Sequence, residues 1–278
     1  MLLFYVQINT DMKIWVFGDS YAVHLPNIRW TWVEKVRSSV DADIESSSVY
    51  GASVDWVYYR FEISRQQINS GDVILVVLTS LDRRWFFANR PNIASSISSG
   101  TSVDVSVDEK NAVLSYYRYL DNSDAHVLHL INWLDMLDRF AKEKNVRCLL
   151  IPAFPDSQAV VTGMKKSWPV IDSNTGIPSH TGQTLSEIGQ SRWMNLDIAV
   201  GGNLFSVYQN ECNCQELLNL KDDRRRNHLC RDNHIILSEK VVRWIQNRSP
   251  VVLDGFHSGV ITLDILKTER WEDMELVF

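Results

Sequence analysis

Short, continuously apolar runs alternate along this chain with longer stretches whose apolar residues recur every three or four positions. The apolar runs predict strands at residues 13–17, 73–78 and 146–151, and the serine-rich stretch 41–49 predicts a second, weaker strand. The periodic stretches predict helices at residues 26–40, 53–68, 124–145 and 233–246. Because strands and helices alternate, the pattern predicts an α/β fold with a central, mostly parallel sheet and right-handed crossovers.

The run 73–78 is the strongest strand signal, since all six of its residues are apolar. Such a run is typical of a central parallel strand that is covered on both faces. The helical stretches each supply an apolar stripe that we expect to face this sheet. The stripe residues are Ile28, Trp32, Val36 and Val40; Val54, Val57, Phe61 and Ile68; Val127, Leu130, Leu134, Leu137 and Phe140; and Ile236, Val241 and Ile245.

Four segments lack a sustained pattern. Residues 1–11 fit either an edge strand or an extension ahead of the domain, and residues 249–278 fit a terminal hairpin or an interaction segment. Residues 88–121 are polar and serine-rich, which predicts an exposed loop or lid. Residues 152–220 are predicted to form a partly irregular insertion near the candidate site that is described below. We therefore expect one domain over residues 12–248 that carries two insertions.

Composition narrows the partners of the chain. The net charge of −6 over 278 residues argues against general affinity for nucleic acid, which needs a basic surface. The basic run 224–226 follows two aspartates and reads as a solvated turn. None of the four cysteines has a usual zinc-binding spacing, so we expect neither a metal nor a cofactor.

Two features of the sequence bear on the expected cellular location of the protein. No segment approaches the roughly 18 apolar residues that a membrane-spanning helix needs. The first residues lack the positive region and long apolar stretch of a signal peptide, so we expect a cytoplasmic protein by default.

The candidate chemistry begins where the first predicted strand ends, at Gly18-Asp19-Ser20. In open α/β sheets, ligands bind outside the carboxyl ends of the strands, where the Ser20 hydroxyl would meet a substrate. The same three residues also form ordinary turns. A serine needs a base to accept its proton, and His228 is the best candidate because it lies in a polar loop ahead of the last helix.

Gly18-Asp19-Ser20 resembles the first sequence block of the SGNH (GDSL-type) hydrolase superfamily. Gly51, after the second strand, lies where that family has its second-block glycine. The segment Asn227-His228, leading into Asn233-His234 and a final helix, is similar to the block that supplies the catalytic histidine. The resemblance extends over most of residues 13–246. It implies a divergent member with a flavodoxin-like, three-layer α/β/α sandwich.

The resemblance implies an ester hydrolase in which Ser20 is the nucleophile and His228 the base. The backbone amides of Ser20 and Gly51 would hold the oxyanion, together with the hydroxyl of Thr79 or Ser80. The acid that orients the histidine is Asp223 or, as a second choice, Asp222. If neither reaches His228, a Ser20–His228 dyad remains.

Two positions depart from the family pattern. Leu81 stands where the family has an oxyanion-binding asparagine, and Arg225 stands where it has the catalytic aspartate. The loss of one oxyanion donor typically costs about 100- to 1,000-fold in turnover. These departures leave open a second hypothesis, a non-catalytic module of the same fold that binds carbohydrate or serves a structural role. A nucleotide-binding module is disfavoured, because the turn lacks a phosphate-cradling glycine pattern.

The substrate surface is expected around the first and third strands. We expect Asp19, Asp82, Arg83 and Trp85 to contact substrate, although Asp19 has the alternative role of holding its turn. Trp85, Phe86 and Phe87 follow the third strand closely, and at least one of them is expected in the core. Since aromatic faces stack on sugar rings, we expect a small-molecule or glycan ester as the partner, such as a carbohydrate O-acetyl ester.

Overall fold

The computed structural model of the chain contains a parallel sheet with helices packed against it. It describes residues 12–23, 31–40, 42–86, 105–162, 170–171, 178–179, 193–205, 229 and 231–256. The strands are β1 (Lys13–Gly18), β2 (Asp43–Ser48), β3 (Val73–Leu78), β4 (Arg147–Pro152), β5 (Val170–Ile171), β6 (Pro178–Ser179) and β7 (Leu196–Ile198). The helices of the described part are α1 (Trp32–Val40), α2 (Val54–Ser64), α3 (Val107–Tyr119), α4 (Ser123–Lys144), α5 (Pro155–Thr162) and α6 (Arg231–Asn247).

The main sheet has five strands in the order β2-β1-β3-β4-β7, and every neighbouring pair is parallel. The short strands β5 and β6 form a separate antiparallel pair. The α/β class and the parallel sheet expected from the sequence are thus confirmed. The order also places β1 at the point where the chain reverses direction across the sheet, between β2 on one side and β3 on the other. In sheets of this kind the ligand crevice lies at that point.

Alternating residues of the strands supply two separate apolar cores. Ile14 and Val16 of β1 pack in a cluster with residues of α1 and α6. Trp15 and Phe17 point to the other face and pack with residues of α2 and α4. The period-two alternation of side chains in a strand produces this division. All six residues of β3 are buried, as expected for a central strand covered on both faces.

The strongest periodic signals locate their helices well. The helix predicted at 124–145 is α4, and Asn145 ends it in a left-handed conformation with φ of 53°. The helix predicted at 53–68 is α2, and its N-cap is Ser53. In α6 the predicted Val241 and Ile245 are buried, whereas the predicted Ile236 is only half-buried and Leu237 is buried in its place. Residues 1–11 and the start of the first predicted helix, at 26–30, lie outside the described residues.

The prediction of a loop over 88–121 is wrong for its second half, where α3 forms. Ser106 accepts a hydrogen bond from the Glu109 amide, and the Glu109 carboxylate accepts one from the Ser106 amide, which makes a capping box. Val113 is the buried residue of this helix. With so little apolar surface to bury, α3 has no hydrophobic stripe that periodicity would detect.

The tail after α6 is described as far as residue 256. Val252 forms a parallel bridge with Val200, next to the edge strand β7. Within the described part, we find no helix that is both long and apolar enough to cross a membrane.

The buried carboxylate of Asp72 fixes the start of β1. It accepts hydrogen bonds from the Lys13 amide at 3.0 Å, the Trp15 indole at 2.9 Å and the Asn69 amide at 2.9 Å. Three donors satisfy a carboxylate that has almost no contact with water. Asp72 thus joins the turn before β3 to the first residues of the strand that carries Ser20.

We expect Asp72→Ala to lower the free energy of unfolding by about 3 kcal/mol, because it leaves buried donors without an acceptor. Urea denaturation followed by circular dichroism measures this change. Asp43→Ala, at an exposed aspartate in the edge strand β2, is the matched control and should change stability by less than about 0.5 kcal/mol. Equal effects of the two substitutions would contradict the role of Asp72.

Candidate active site

Ser20 lies in a tight turn directly after β1. The turn is a single 3₁₀ segment, Ser20–Ala22, in which the Ala22 amide donates to the Asp19 carbonyl at 2.9 Å. The Asp19 side chain caps it by accepting from the Tyr21 amide at 3.0 Å. Ser20 itself is half-buried and lies at the carboxyl edge of the sheet.

Gly18 allows this turn to lie against the neighbouring strand. A Cβ atom at Gly18 would come within 2.8 Å of the Val77 Cβ and 3.0 Å of the Ala22 Cβ. The first contact is between the neighbouring strands β1 and β3. It cannot be relieved by a change of side-chain rotamer, because the backbone fixes the position of the Val77 Cβ atom. The glycine is therefore required by close packing at the end of β1.

The turn after β2 brings Gly51 to the same edge. The Val49 amide donates to the Gly18 carbonyl at 3.4 Å, and the Ala52 amide donates to the Val49 carbonyl at 3.3 Å. Gly51 is the third residue of this turn and has a φ of 67°, which glycine adopts without strain. Gly51 therefore lies in the turn that follows the strand neighbouring β1, and this turn is hydrogen-bonded to Gly18, the residue before Asp19.

A buried polar network connects these turns with the residues after β3. The fully buried Asp19 carboxylate pairs with the Arg83 guanidinium, with Nη1 2.5 Å from Oδ2. Arg83 Nη1 also donates to Thr79 Oγ1 at 2.8 Å. The Thr79 hydroxyl lies 2.9 Å from the Ala52 carbonyl and 3.2 Å from Asp19 Oδ2, and its single proton goes to one of them. The residues that follow β1, β2 and β3 are thus joined in one hydrogen-bond network.

The surroundings of Asp19 distinguish between its two predicted roles, contact with substrate and support of the turn. Both carboxylate oxygens are engaged within the protein, and the side chain has no exposed surface. This arrangement favours the turn-holding role over contact with substrate. Arg83 is mostly buried and its guanidinium lies 4.6 Å from the centre of the Phe154 ring, so its first function in the structure is to neutralise Asp19.

A second polar cluster lies beside the first. The Ser80 hydroxyl lies within hydrogen-bonding distance of the carboxylates of Asp82 and Asp156, at 2.8 Å from the latter. Asp156 also accepts from the Leu81 amide at 2.6 Å. Sequence reasoning missed Asp156, although it follows the buried strand β4 and so belongs to the same sheet edge. As an oxyanion donor, Ser80 or Thr79 would first have to release the protein acceptor it holds.

Leu81 and Trp85 complete the loop after β3. The Leu81 side chain is buried in the core with α2 and α4, so it offers the site no polar group. Trp85 is half-buried and packs against Tyr59 with 5.1 Å between ring centroids and 43° between ring planes, and Phe86 is exposed. The expected core aromatic is therefore neither Trp85 nor Phe86, and Phe87 lies outside the described residues.

Arg84 anchors this loop on its other side. The buried guanidinium donates to Asp121 Oδ1 at 2.7 Å and to the Arg83 carbonyl at 2.9 Å. His126 Nε2 lies 3.3 Å from the same Asp121 oxygen. Burial and the neighbouring Arg84 charge lower the pKa of His126 below its ordinary value of 6.5, so the neutral imidazole is favoured here.

His228, Asp223 and Asp222 lie outside the described residues. Leu229, directly after His228, is buried in the same apolar cluster as Tyr21 and Ala22, which follow Ser20.

The buried His234 is connected to the Ser20 turn through Trp32. The Trp32 amide donates to His234 Nδ1 at 3.1 Å, and the Trp32 indole donates to the Tyr21 carbonyl at 2.6 Å. Because Nδ1 accepts a hydrogen bond, the neutral ring carries its proton on Nε2. In this tautomer His234 is a donor from Nε2 rather than a base.

The comparisons with known proteins do not identify a family. No protein-family model matches the chain, and no curated protein matches it by sequence. Among the described residues, no group of three or more histidine, cysteine, aspartate or glutamate side chains is arranged to hold a metal ion.

We expect Gly18→Ala to lower stability by about 1 to 3 kcal/mol, because the added methyl group meets Val77. It should also displace the Ser20 turn and reduce any activity that depends on it. Thermal unfolding and the esterase assay described below measure the two effects.

The control for this prediction is Gly71→Ala, at a position where the added Cβ meets no atom within 4 Å but φ is +90°. It should cost about 1 kcal/mol through backbone strain and leave activity unchanged. If Gly18→Ala has wild-type stability and activity, the close packing does not position the turn.

Proposed function

We propose that this protein is a serine ester hydrolase of the SGNH (GDSL-type) kind, with a three-layer α/β/α architecture. The observation that carries the proposal is the position of Ser20. It follows β1 at the reversal point of the sheet, beside the Gly51 turn and the residues that follow β3. A nucleophile at that point faces the crevice in which such sheets bind ligands.

In the proposed reaction, Ser20 Oγ attacks the ester carbonyl carbon while His228 accepts the hydroxyl proton. The negative charge that develops on the carbonyl oxygen is stabilised by the backbone amides of Ser20 and Gly51. His228 then protonates the leaving alcohol, and water releases the acyl group from Ser20 by the same route. Asp223, or Asp222 in its place, orients the imidazole.

The buried network supports this chemistry electrostatically. An uncompensated Asp19 carboxylate next to Ser20 would oppose the negative charge of the tetrahedral intermediate. The Arg83 guanidinium, paired with Asp19, removes that opposition. Because the Thr79 and Ser80 hydroxyls already serve protein acceptors, the two backbone amides are the principal oxyanion donors of the proposal.

A carbohydrate O-acetyl ester or another small acyl ester is the proposed substrate. The second candidate is a non-catalytic module of the same fold, and the burial of Leu81 in the core favours it. The side chain at the position of the family's oxyanion asparagine is apolar and turned away from the site, so a reduced oxyanion site would have to suffice for catalysis.

Ser20→Ala tests the proposal directly. We expect the wild-type protein to hydrolyse p-nitrophenyl acetate and to release acetate from acetylated xylan, and the variant to lose about 1,000-fold or more in kcat/KM. Ser38→Ala, at an exposed serine of α1, is the matched control and should retain full activity. Equal rates for wild type and Ser20→Ala would overturn the catalytic assignment and favour the second candidate, the non-catalytic module.

A second pair of variants distinguishes the proposed base, His228, from the buried His234. His228→Ala should lose about 1,000-fold in kcat/KM, because the proton acceptor is removed. His234→Asn keeps an acceptor for the Trp32 amide but cannot titrate, so we expect near-wild-type activity with a lowered Tm. The pH profile of kcat/KM is the readout. The reverse pattern would transfer the base to His234.

A further inference from the structure

A cleft on the helical layer, away from Ser20, has the chemistry of a small-ligand site. It lies between α2 and α4 and has a volume of about 290 Å³. This is close to the lower end of the roughly 300 to 1,000 Å³ that small-molecule sites occupy, so one or two small rings would fill it. Its lining residues are Val54, Asp55, Tyr58, His129, Asn132 and Trp133.

The cleft combines apolar and hydrogen-bonding surface. Val54 and Trp133 are buried and supply apolar lining. The exposed Tyr58 ring lies over Trp133, with 6.0 Å between centroids and 52° between planes. Packing against a buried indole holds the tyrosine ring in place, so its outer surface is a preorganised apolar platform.

The polar groups of the cleft converge from both helices. His129 Nδ1 of α4 lies 3.4 Å from Asp55 Oδ1 of α2, and Asn132 follows His129 by one helical turn. Both side chains of this contact are well exposed, so the contact itself contributes little to stability. A carboxylate, an amide and an imidazole around one tyrosine ring provide both donors and acceptors at little cost to the fold.

We propose that this cleft binds a neutral pyranose sugar unit. A pyranose ring has an apolar C–H face, which matches the Tyr58 ring, and an edge of hydroxyl groups that both donate and accept. Asp55 would accept from adjacent hydroxyls, and Asn132 would donate to and accept from them. The site is separate from Ser20, and its existence does not depend on the proposed hydrolase activity.

Two other ligand classes fit less well. A quaternary ammonium ion requires several exposed aromatic faces, but Trp133 is only 4% exposed, so Tyr58 supplies the exposed aromatic face of this cleft. A wholly apolar ligand would leave the polar groups of Asp55, His129 and Asn132 without partners. The sugar satisfies both kinds of surface.

Tyr59, the residue after Tyr58 on α2, lies on a different face of the helix. It is 45% exposed and packs against Trp85 of the loop after β3, with 5.1 Å between ring centroids. The proposed site is therefore the cleft at Tyr58, and a sugar unit packed on that ring is its occupant.

The test is titration of the Ser20→Ala protein with unesterified xylotriose, cellotriose and triacetylchitotriose, followed by saturation-transfer NMR and calorimetry. We expect saturable binding of at least one of them below about 10 mM. Tyr58→Ala and Asn132→Ala, both at exposed positions, should weaken it by about tenfold or more. Tyr119→Ala, at an exposed tyrosine of α3, is the matched control and should leave binding unchanged.

Three results would overturn the proposal. These are no saturable binding of any of the three sugars, binding that survives Tyr58→Ala and Asn132→Ala, and binding of tetramethylammonium that depends on Asp55 in the absence of sugar binding. Hydrolysis of p-nitrophenyl acetate does not involve a sugar, so the Ser20 assay succeeds or fails independently of this outcome.

Discussion

The buried carboxylate of Asp19 is the constraint on which the carboxyl edge of the sheet depends. A charge with no solvent contact is tolerated only when it is paired and hydrogen-bonded. Arg83 and the Tyr21 amide supply those partners, and Thr79 lies beside them. These partners come from the turn after β1 and from the residues that follow β3. The interactions of one buried carboxylate therefore fix the relative position of two strand ends. The turn that presents Ser20 is held as a consequence.

Much of the fold could be predicted because its signals are local. The continuous apolar run of β3 and the helical period of α4 each follow from burial of the same residues that form the element. The helix α3 escaped prediction because it buries Val113 and little else, so tertiary packing left no period in its sequence. Its local signal was the Ser106 capping box, which depends on two residues rather than on a stripe.

The candidate site likewise contains features with a local sequence signal and features without one. The common location of Ser20, Gly51 and Thr79 could be predicted, because each follows a predicted strand and parallel strands bring their ends to one edge. Their roles rest on the resemblance to a hydrolase family and remain predictions. The pairing of Asp19 with Arg83, 64 residues apart, and of Ser80 with Asp156, 76 residues apart, carries no local signal. The cleft between α2 and α4 depends on residues 74 positions apart for the same reason. Contacts of this range are decided by the packing of whole elements.

The loop after β3 connects the two proposed sites physically. Arg83 extends to Asp19 beneath the Ser20 turn, whereas the next residue, Arg84, is held by Asp121 at the junction of α3 and α4. Consecutive arginines thus fasten the loop to β1 on one side and to the helical layer on the other. Trp85 follows these anchors directly and packs against Tyr59 of α2. Under both proposals, the helix that lines the sugar cleft and the turn that presents Ser20 are therefore held by the same loop, because that loop contacts both α2 and Asp19.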